Sequence, residues 1–118
     1  EAAPNLAITK SVSPVPVTEN GTLTYTFRIQ NYGSVAATNT TGVVITDTFA
    51  PVLNNLTAAL NGTAWTAATD YTYNEATGTF SSTAGAITVP AATYTQDSTT
   101  GAWVVTPGES TLVITGTV

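Results

Sequence analysis

Between residues 22 and 30 the side chains alternate without a break. Leu23, Tyr25, Phe27 and Ile29 fall on one side; Thr22, Thr24, Thr26, Arg28 and Gln30 fall on the other. A period of two is the mark of a strand with one dry face and one wet face. Such strands belong to antiparallel sheets, because parallel sheets are covered on both sides. No stretch shows helical periodicity of useful length. Eight to ten short strands separated by turn residues are predicted, which makes the chain all-β: an Ig-like antiparallel β-sandwich with additional hairpins. At 118 residues it is read as one domain, with residues 1–4 as a linker. The opening Glu1-Ala2-Ala3-Pro4 is expected of a processed product or a piece of a longer chain.

The remaining strands follow from the same pattern. Residues 6–12 place Leu6, Ile8, Lys10 and Val12 on one face, so the only lysine is expected to point into the core. Pro14 and Pro16 keep the next segment out of a sheet interior, extended along an edge. Glu19-Asn20-Gly21 is a turn. Residues 42–49 are expected to be a strand burying Val43, Ile45, Asp47 and Phe49, the phase that removes more apolar area from water. Asn61-Gly62 is a strong short hairpin turn between residues 56–60 and 63–67. Asn74 to Gly78 and Asp97 to Gly101 look like one loop used twice, each opening on Asn or Asp and closing on a glycine that supplies positive φ. A short strand is expected over residues 86–89, ended by Pro90. Pro107-Gly108-Glu109 turns the chain into a last strand over residues 111–118, with Leu112, Ile114 and Val118 on one face.

Composition narrows function by exclusion. Two cationic side chains against seven acidic ones, with no histidine, give a net charge of -5. Nothing is available to neutralise phosphates, so nucleic acid is not an expected partner, and an anionic membrane surface is disfavoured for the same reason. No apolar run approaches membrane-spanning length, so membrane insertion is not expected. There is no cysteine, hence no disulfide framework and no thiolate chemistry. Serines lack a base, and no Gly-rich phosphate loop occurs, so an enzyme is not expected and no cofactor is implied. The 27 threonines point to a neutral, hydroxyl-rich surface of the kind found on extracellular repeat proteins.

Four groups of residues remain as candidates. Asp70, Glu75 and Asp97 offer oxygens for calcium, but without the spacing of a calcium loop; Asn74 and Asp97 are better read as turn residues bonding their own backbone. Asn20, Asn39, Asn55 and Asn61 each open an Asn-x-Thr triplet, the glycan-acceptor pattern. Trp65, Tyr71, Tyr73, Tyr94 and Trp103 lie in neighbouring hairpins. Exposed, they would form a sugar-binding platform; the expectation is instead that the tryptophans fill the core and the tyrosines pack in cross-strand pairs. Lys10 and Asp47 are expected to meet as a buried or half-buried ion pair. The sharper reading of that pair is an intramolecular isopeptide bond. It would need a lysine freed of its proton in an apolar site, an Asn or Asp electrophile, and a protonated carboxyl to polarise the carbonyl. The last strand holds no Asn or Asp, so Asn31 or Asp47 itself would have to be the electrophile.

Several of these segments, in order, carry a resemblance. They are Asn5-Leu6-Ala7-Ile8-Thr9-Lys10-Ser11-Val12, Gly21-Thr22-Leu23-Thr24-Tyr25-Thr26-Phe27, Asn31-Tyr32-Gly33, Ala36-Ala37-Thr38-Asn39 and Val44-Ile45-Thr46-Asp47-Thr48, with the closing Pro107-Gly108-Glu109-Ser110-Thr111-Leu112. Together they resemble the repeated domain of unknown function (number eleven) of bacterial and archaeal cell-surface proteins, with a more distant similarity to collagen-adhesin-type domains. The resemblance implies an Ig-like sandwich used in tandem as a stalk or spacer in secreted or wall-anchored proteins. Neighbouring repeats would be its partners. Lys10 and Asp47 match the family's Lys and Asp positions, and the bond-forming role is implied only by the collagen-adhesin-type domains. The expected function is therefore a structural spacer at the cell surface, the alternative a glycan- or host-protein-binding module using the aromatic hairpins.

Overall fold

The computed structural model describes residues 3–14 and 18–118. Within them ten strands form: β1 (Leu6–Ser13), β2 (Thr22–Asn31), β3 (Thr46–Thr48), β4 (Asn54–Leu60), β5 (Thr63–Ala64), β6 (Tyr71–Asn74), β7 (Thr79–Ser82), β8 (Thr93–Gln96), β9 (Trp103–Thr106) and β10 (Gly108–Thr117). Among the described residues there is no helix, and every strand pairing is antiparallel. A five-stranded sheet runs β1-β2-β10-β4-β5, a three-stranded sheet runs β3-β7-β6, and β8-β9 form a separate ribbon. The first two sheets face each other across one core, a sandwich-like arrangement.

The core is built on β2 and β10. In register, Leu23, Tyr25, Phe27 and Ile29 stand beside Gly116, Ile114, Leu112 and Ser110 on the inner face. All are buried. The smaller sheet and its loops supply Ile45, Phe49, Leu53, Tyr71, Phe80, Ile87 and Val89. Phe49 stacks on Tyr25 at 4.6 Å between ring centroids, and Tyr71 stacks on Phe80 at 5.4 Å. Burial of such rings is the main favourable term in a core this size.

The turns follow their chemistry. Asn61 and Gly62 take φ of 50° and 83°, both positive, as a two-residue hairpin turn requires. The two longer hairpin loops are the same device. Gly78 N–H donates to Asn74 O and Gly101 N–H donates to Asp97 O, while each opening side chain accepts from the residue two further on. Three expected strands are shorter than the pattern suggested, residues 63–67 keeping only Thr63–Ala64. Of residues 42–49 only Thr46–Thr48 pairs as a strand, although the expected phase holds, with Ile45 and Phe49 buried. Residues 86–89 form no strand; Val89 makes one isolated bridge to Ala37, and Ile87 and Val89 are nonetheless fully buried. The last strand begins at Gly108, within the expected turn. The proline-bracketed segment at residues 15–17 lies outside the described residues.

The largest correction concerns β1. Its register places Leu6, Ile8, Lys10 and Val12 opposite Asn31, Ile29, Phe27 and Tyr25, so the expected face is right. Yet all eight residues of β1 are exposed. β1 is the edge of the large sheet, and the facing sheet is two strands narrower. Lys10 therefore lies at the rim of the core rather than inside it.

Two features shape the whole molecule. The start of β1, the end of β2 and the start of β10 lie together at one pole (Leu6↔Asn31↔Gly108), while Val118 bonds to Asn20 and Gly21 at the other. The β8–β9 ribbon joins the body just before β10, at the first pole, and all eight of its strand residues are exposed. The Cα radius of gyration is 16.7 Å, against about 13 Å for a compact domain near this length, and the extents are 55 × 32 × 20 Å. The ribbon is an arm.

Gly108 marks where the arm meets the sandwich. A Cβ there would stand 1.8 Å from Pro90 O and 2.5 Å from Pro90 C, backbone atoms that cannot swing aside. Gly108→Ala is expected to lower stability by at least about 1–3 kcal/mol, as overpacking does. Urea unfolding of the variant beside the native chain measures it.

Candidate functional site

Lys10 and Asp47 meet where the two sheets come closest along the β1 side. β1 carries Lys10 inward opposite Phe27, and β3 carries Asp47 opposite Phe80. Lys10 Nζ lies 2.5 Å from Asp47 Oδ2, with side chains 43% and 20% exposed. The ammonium also stands 5.0 Å from the Tyr25 ring centroid and 6.0 Å from that of Phe49, the two stacked rings of the core. Asp47 Oδ1 accepts from Thr48 N–H at 2.8 Å. Asp47 Oδ2 is shielded from water, and the Lys10 ammonium is its partner as an ion pair.

The pair satisfies part of what an isopeptide bond needs. A nucleophile and an electrophile are in contact. The cleft around them is lined by Ile8, Phe27, Val44, Ile45 and Thr46, none of which is a carboxyl that would shuttle protons. The Lys10 side chain is 43% exposed, so the apolar enclosure that such a bond needs is incomplete. The arrangement is that of a half-buried ion pair latching an edge strand to the opposite sheet.

Asn31 is elsewhere. It lies four residues along the ladder from Lys10's partner and is fully buried. Its Oδ1 accepts from Asn5 N–H and Gly33 N–H, and its Nδ2 donates to Val35 O and Pro90 O. With four backbone groups held, it is the cornerstone of the first pole, and the structure does not bring it to Lys10. The isolated Asn after an alternating strand, followed by Tyr-Gly, was its only signal in the sequence.

The acidic candidates do not converge. Asp70 accepts from Thr66 N–H, Glu75 from Asn55 N–H, and Asp97 from Thr99 and Thr100 N–H. Those last two bonds hold the Asp97 carboxyl below its ordinary value. Among the described residues no three His, Cys, Asp or Glu side chains come together to hold a metal. Asn61, one of the Asn-x-Thr residues, uses its amide to donate to Ser110 Oγ and accept from Thr111 N–H, which ties the β4–β5 turn to β10.

The aromatic set divides. Tyr71 is buried, Trp65 stacks partly buried on it, and Tyr73 is half-buried against Phe49. Tyr73 Oη donates to Leu53 O at 2.7 Å and accepts from Leu53 N–H at 3.0 Å, a buried clasp that composition did not reveal. Trp103, expected in the core, is instead 66% exposed on β9, with Tyr94 44% exposed beside it. The reason is that β9 pairs only with β8, and no other strand among the described residues joins the ribbon. A second ion pair, Arg28 Nε to Glu109 Oε1 at 2.5 Å, crosses β2 and β10 on the outer face. Both cationic side chains of the protein are thus paired.

No protein-family model, curated protein or solved structure matches this chain.

Two measurements test this geometry. The Lys10→Ala, Asp47→Ala double-mutant cycle is expected to give a coupling below about 1 kcal/mol, as for pairs open to water. Intact mass under denaturing conditions is expected to equal the sequence mass, whereas a deficit of one water would show a Lys10–Asp47 amide. A third concerns pH. Burial raises the phenol of Tyr71, and raises that of Tyr73 more than its Leu53 bond lowers it. A raised folded value means the stabilisation is complete below the unfolded value of about 10 and is lost above it. Denaturant midpoints are expected to hold steady to about pH 10 and then fall, less steeply in Tyr73→Phe.

Proposed function

We propose that the chain is a structural spacer: one stalk module of a bacterial cell-surface protein, extracellular, linked end to end with neighbouring repeats. The observation that carries this reading is polar threading. The first strand begins at one pole and the last ends at the other, so consecutive modules would add along the long axis. The all-β, sandwich-like arrangement fits an Ig-like module, and the surface-repeat resemblance of its first fifty residues points the same way. Both cations are tied up in ion pairs and set in strands, which leaves few openings for trypsin-like cleavage. The outward threonines give a neutral, hydrated coat. The Lys10–Asp47 latch would resist peeling of β1 under load. The reading assigns no catalytic activity and no cofactor.

A second reading, a glycan- or host-protein-binding module, is favoured by one observation: Trp103 and Tyr94 stand exposed on the arm. It draws no support from Trp65, Tyr71 or Tyr73, whose rings serve the core.

The spacer reading is tested on a tandem of two copies joined directly. Small-angle scattering is expected to give a maximum dimension close to twice the 55 Å of one copy. A value little above that of one copy, with the modules folded side by side, would refute it.

A further inference from the structure

Two surfaces of this protein are left without partners, and they differ. The first is the arm. Its strands pair only with each other, and a lone two-stranded ribbon is marginal in water. It is held at the root by Tyr94 Oη donating to Tyr32 O at 2.7 Å and by Gly108 wedged against Pro90. Beyond the root, Trp103, Val104 and Val105 are 66%, 51% and 43% exposed. In register, Tyr94 with Val105 and Gln96 with Trp103 form one face of the ribbon.

The second is the open edge of the sandwich. Leu6 and Ile8 sit on the core face of β1 yet are 37% and 51% exposed, and Val44 opposite is 46% exposed. Between them lies an apolar cleft of about 180 Å³, lined by Leu6, Ile8, Ile29, Val43 and Val44. A space of this size takes one aromatic ring. The outer edge of β1 is unpaired among the described residues, so its backbone is open to a further strand.

We infer that these two surfaces bind each other between copies: β9 of one copy lies along the free edge of β1 in a second copy, and Trp103 enters that copy's Leu6–Val44 cleft. Strand length agrees. β9 has four residues, and β1 offers four, Leu6 to Thr9, before Lys10. An inward charge on an edge strand halts further pairing, so Lys10 limits the register. Charge agrees as well. Each copy carries -5, but among the described residues the contact surfaces hold only Asp97 at the tip of the arm and the mutually neutralised Lys10 and Asp47. Area also suffices. The exposed parts of Trp103, Val105, Tyr94, Leu6, Ile8 and Val44 amount to roughly 600 Å² of apolar surface on a scale of 150–250 Å² per aromatic. Interfaces are a little over half apolar, so the whole contact would bury about 1,000 Å², the size of a weak, concentration-dependent association. Because arm and cleft are different patches, the contact is heterologous and does not close on itself. It adds copies in an open series. The inference concerns contacts between separate chains and does not rest on the spacer reading.

The test is complementation. Trp103→Ser/Val105→Thr removes the arm contact, and Val44→Glu blocks the cleft; all three are exposed, and thermal melts establish that each variant folds. By sedimentation, the native chain is expected to form dimers and larger species as concentration rises, and each variant alone to stay monomeric. An equal mixture of the two is expected to form dimers and stop there, since only one intact arm meets one intact cleft. The tryptophan emission of the native chain should shift to shorter wavelength over the same range, a readout that needs no variant. A native chain that stays monomeric to about 1 mM would overturn the inference. So would association that the Val44→Glu variant retains, which would mean arm-to-arm pairing, or a mixture that fails to form dimers, which would mean that arm and cleft do not meet.

Discussion

The structure depends on the ten-residue ladder between β2 and β10. Every other packing relation is set by it. β1 and β4 extend the sheet on either side, and the small sheet lies over its inner face through Phe49 and Phe80. The ladder is also the axis of the molecule. Its ends are fastened by different means: Asn31 ties four backbone groups at one pole, and Val118 exchanges bonds with Asn20 and Gly21 at the other. A buried amide with all four of its bonds made specifies one geometry, because leaving any one unmade costs the desolvation of that group.

Against that frame, the narrowness of the second sheet explains the uneven surface. Three strands cannot cover the inner face of five. The uncovered margin falls on β1, where apolar residues that alternate correctly are left at the rim. Lys10 and Asp47 close part of the gap with charge. The contact is cheap to form because the Lys10 side chain stays partly open to water, and for the same reason it adds little stability. Its value is positional: it holds an edge strand against the opposite sheet at the place where hydrophobic cover runs out. The Arg28–Glu109 pair on the outer face has no such role in joining sheets.

Much of the fold was legible because its determinants are local. The alternation over β2, the Asn61-Gly62 turn and the twin Asn74 and Asp97 loops each depend on a few adjacent side chains and on allowed φ values. The pairing of Lys10 with Asp47 was also legible, through matching faces on two strands. Three things were not. The exposure of β1 depends on how many strands face it. The clasp of Tyr73 on Leu53 depends on a 20-residue separation that no local pattern encodes. The exposure of Trp103 runs against the ordinary expectation that a large aromatic seeks a core, and it arises because the chain between Pro90 and Pro107 has no sheet to join.

By itself, then, the amino-acid order determined the class of structure, the faces of the strands and the chemistry of the turns, since period, propensity and backbone sterics act within a few residues. Only the tertiary arrangement decided which faces are covered. Burial is a property of two surfaces meeting, and one strand carries information about one surface. That is why Lys10 could be placed on the correct face and still prove to be at the rim, and why Trp103 could be hydrophobic and still stand in water.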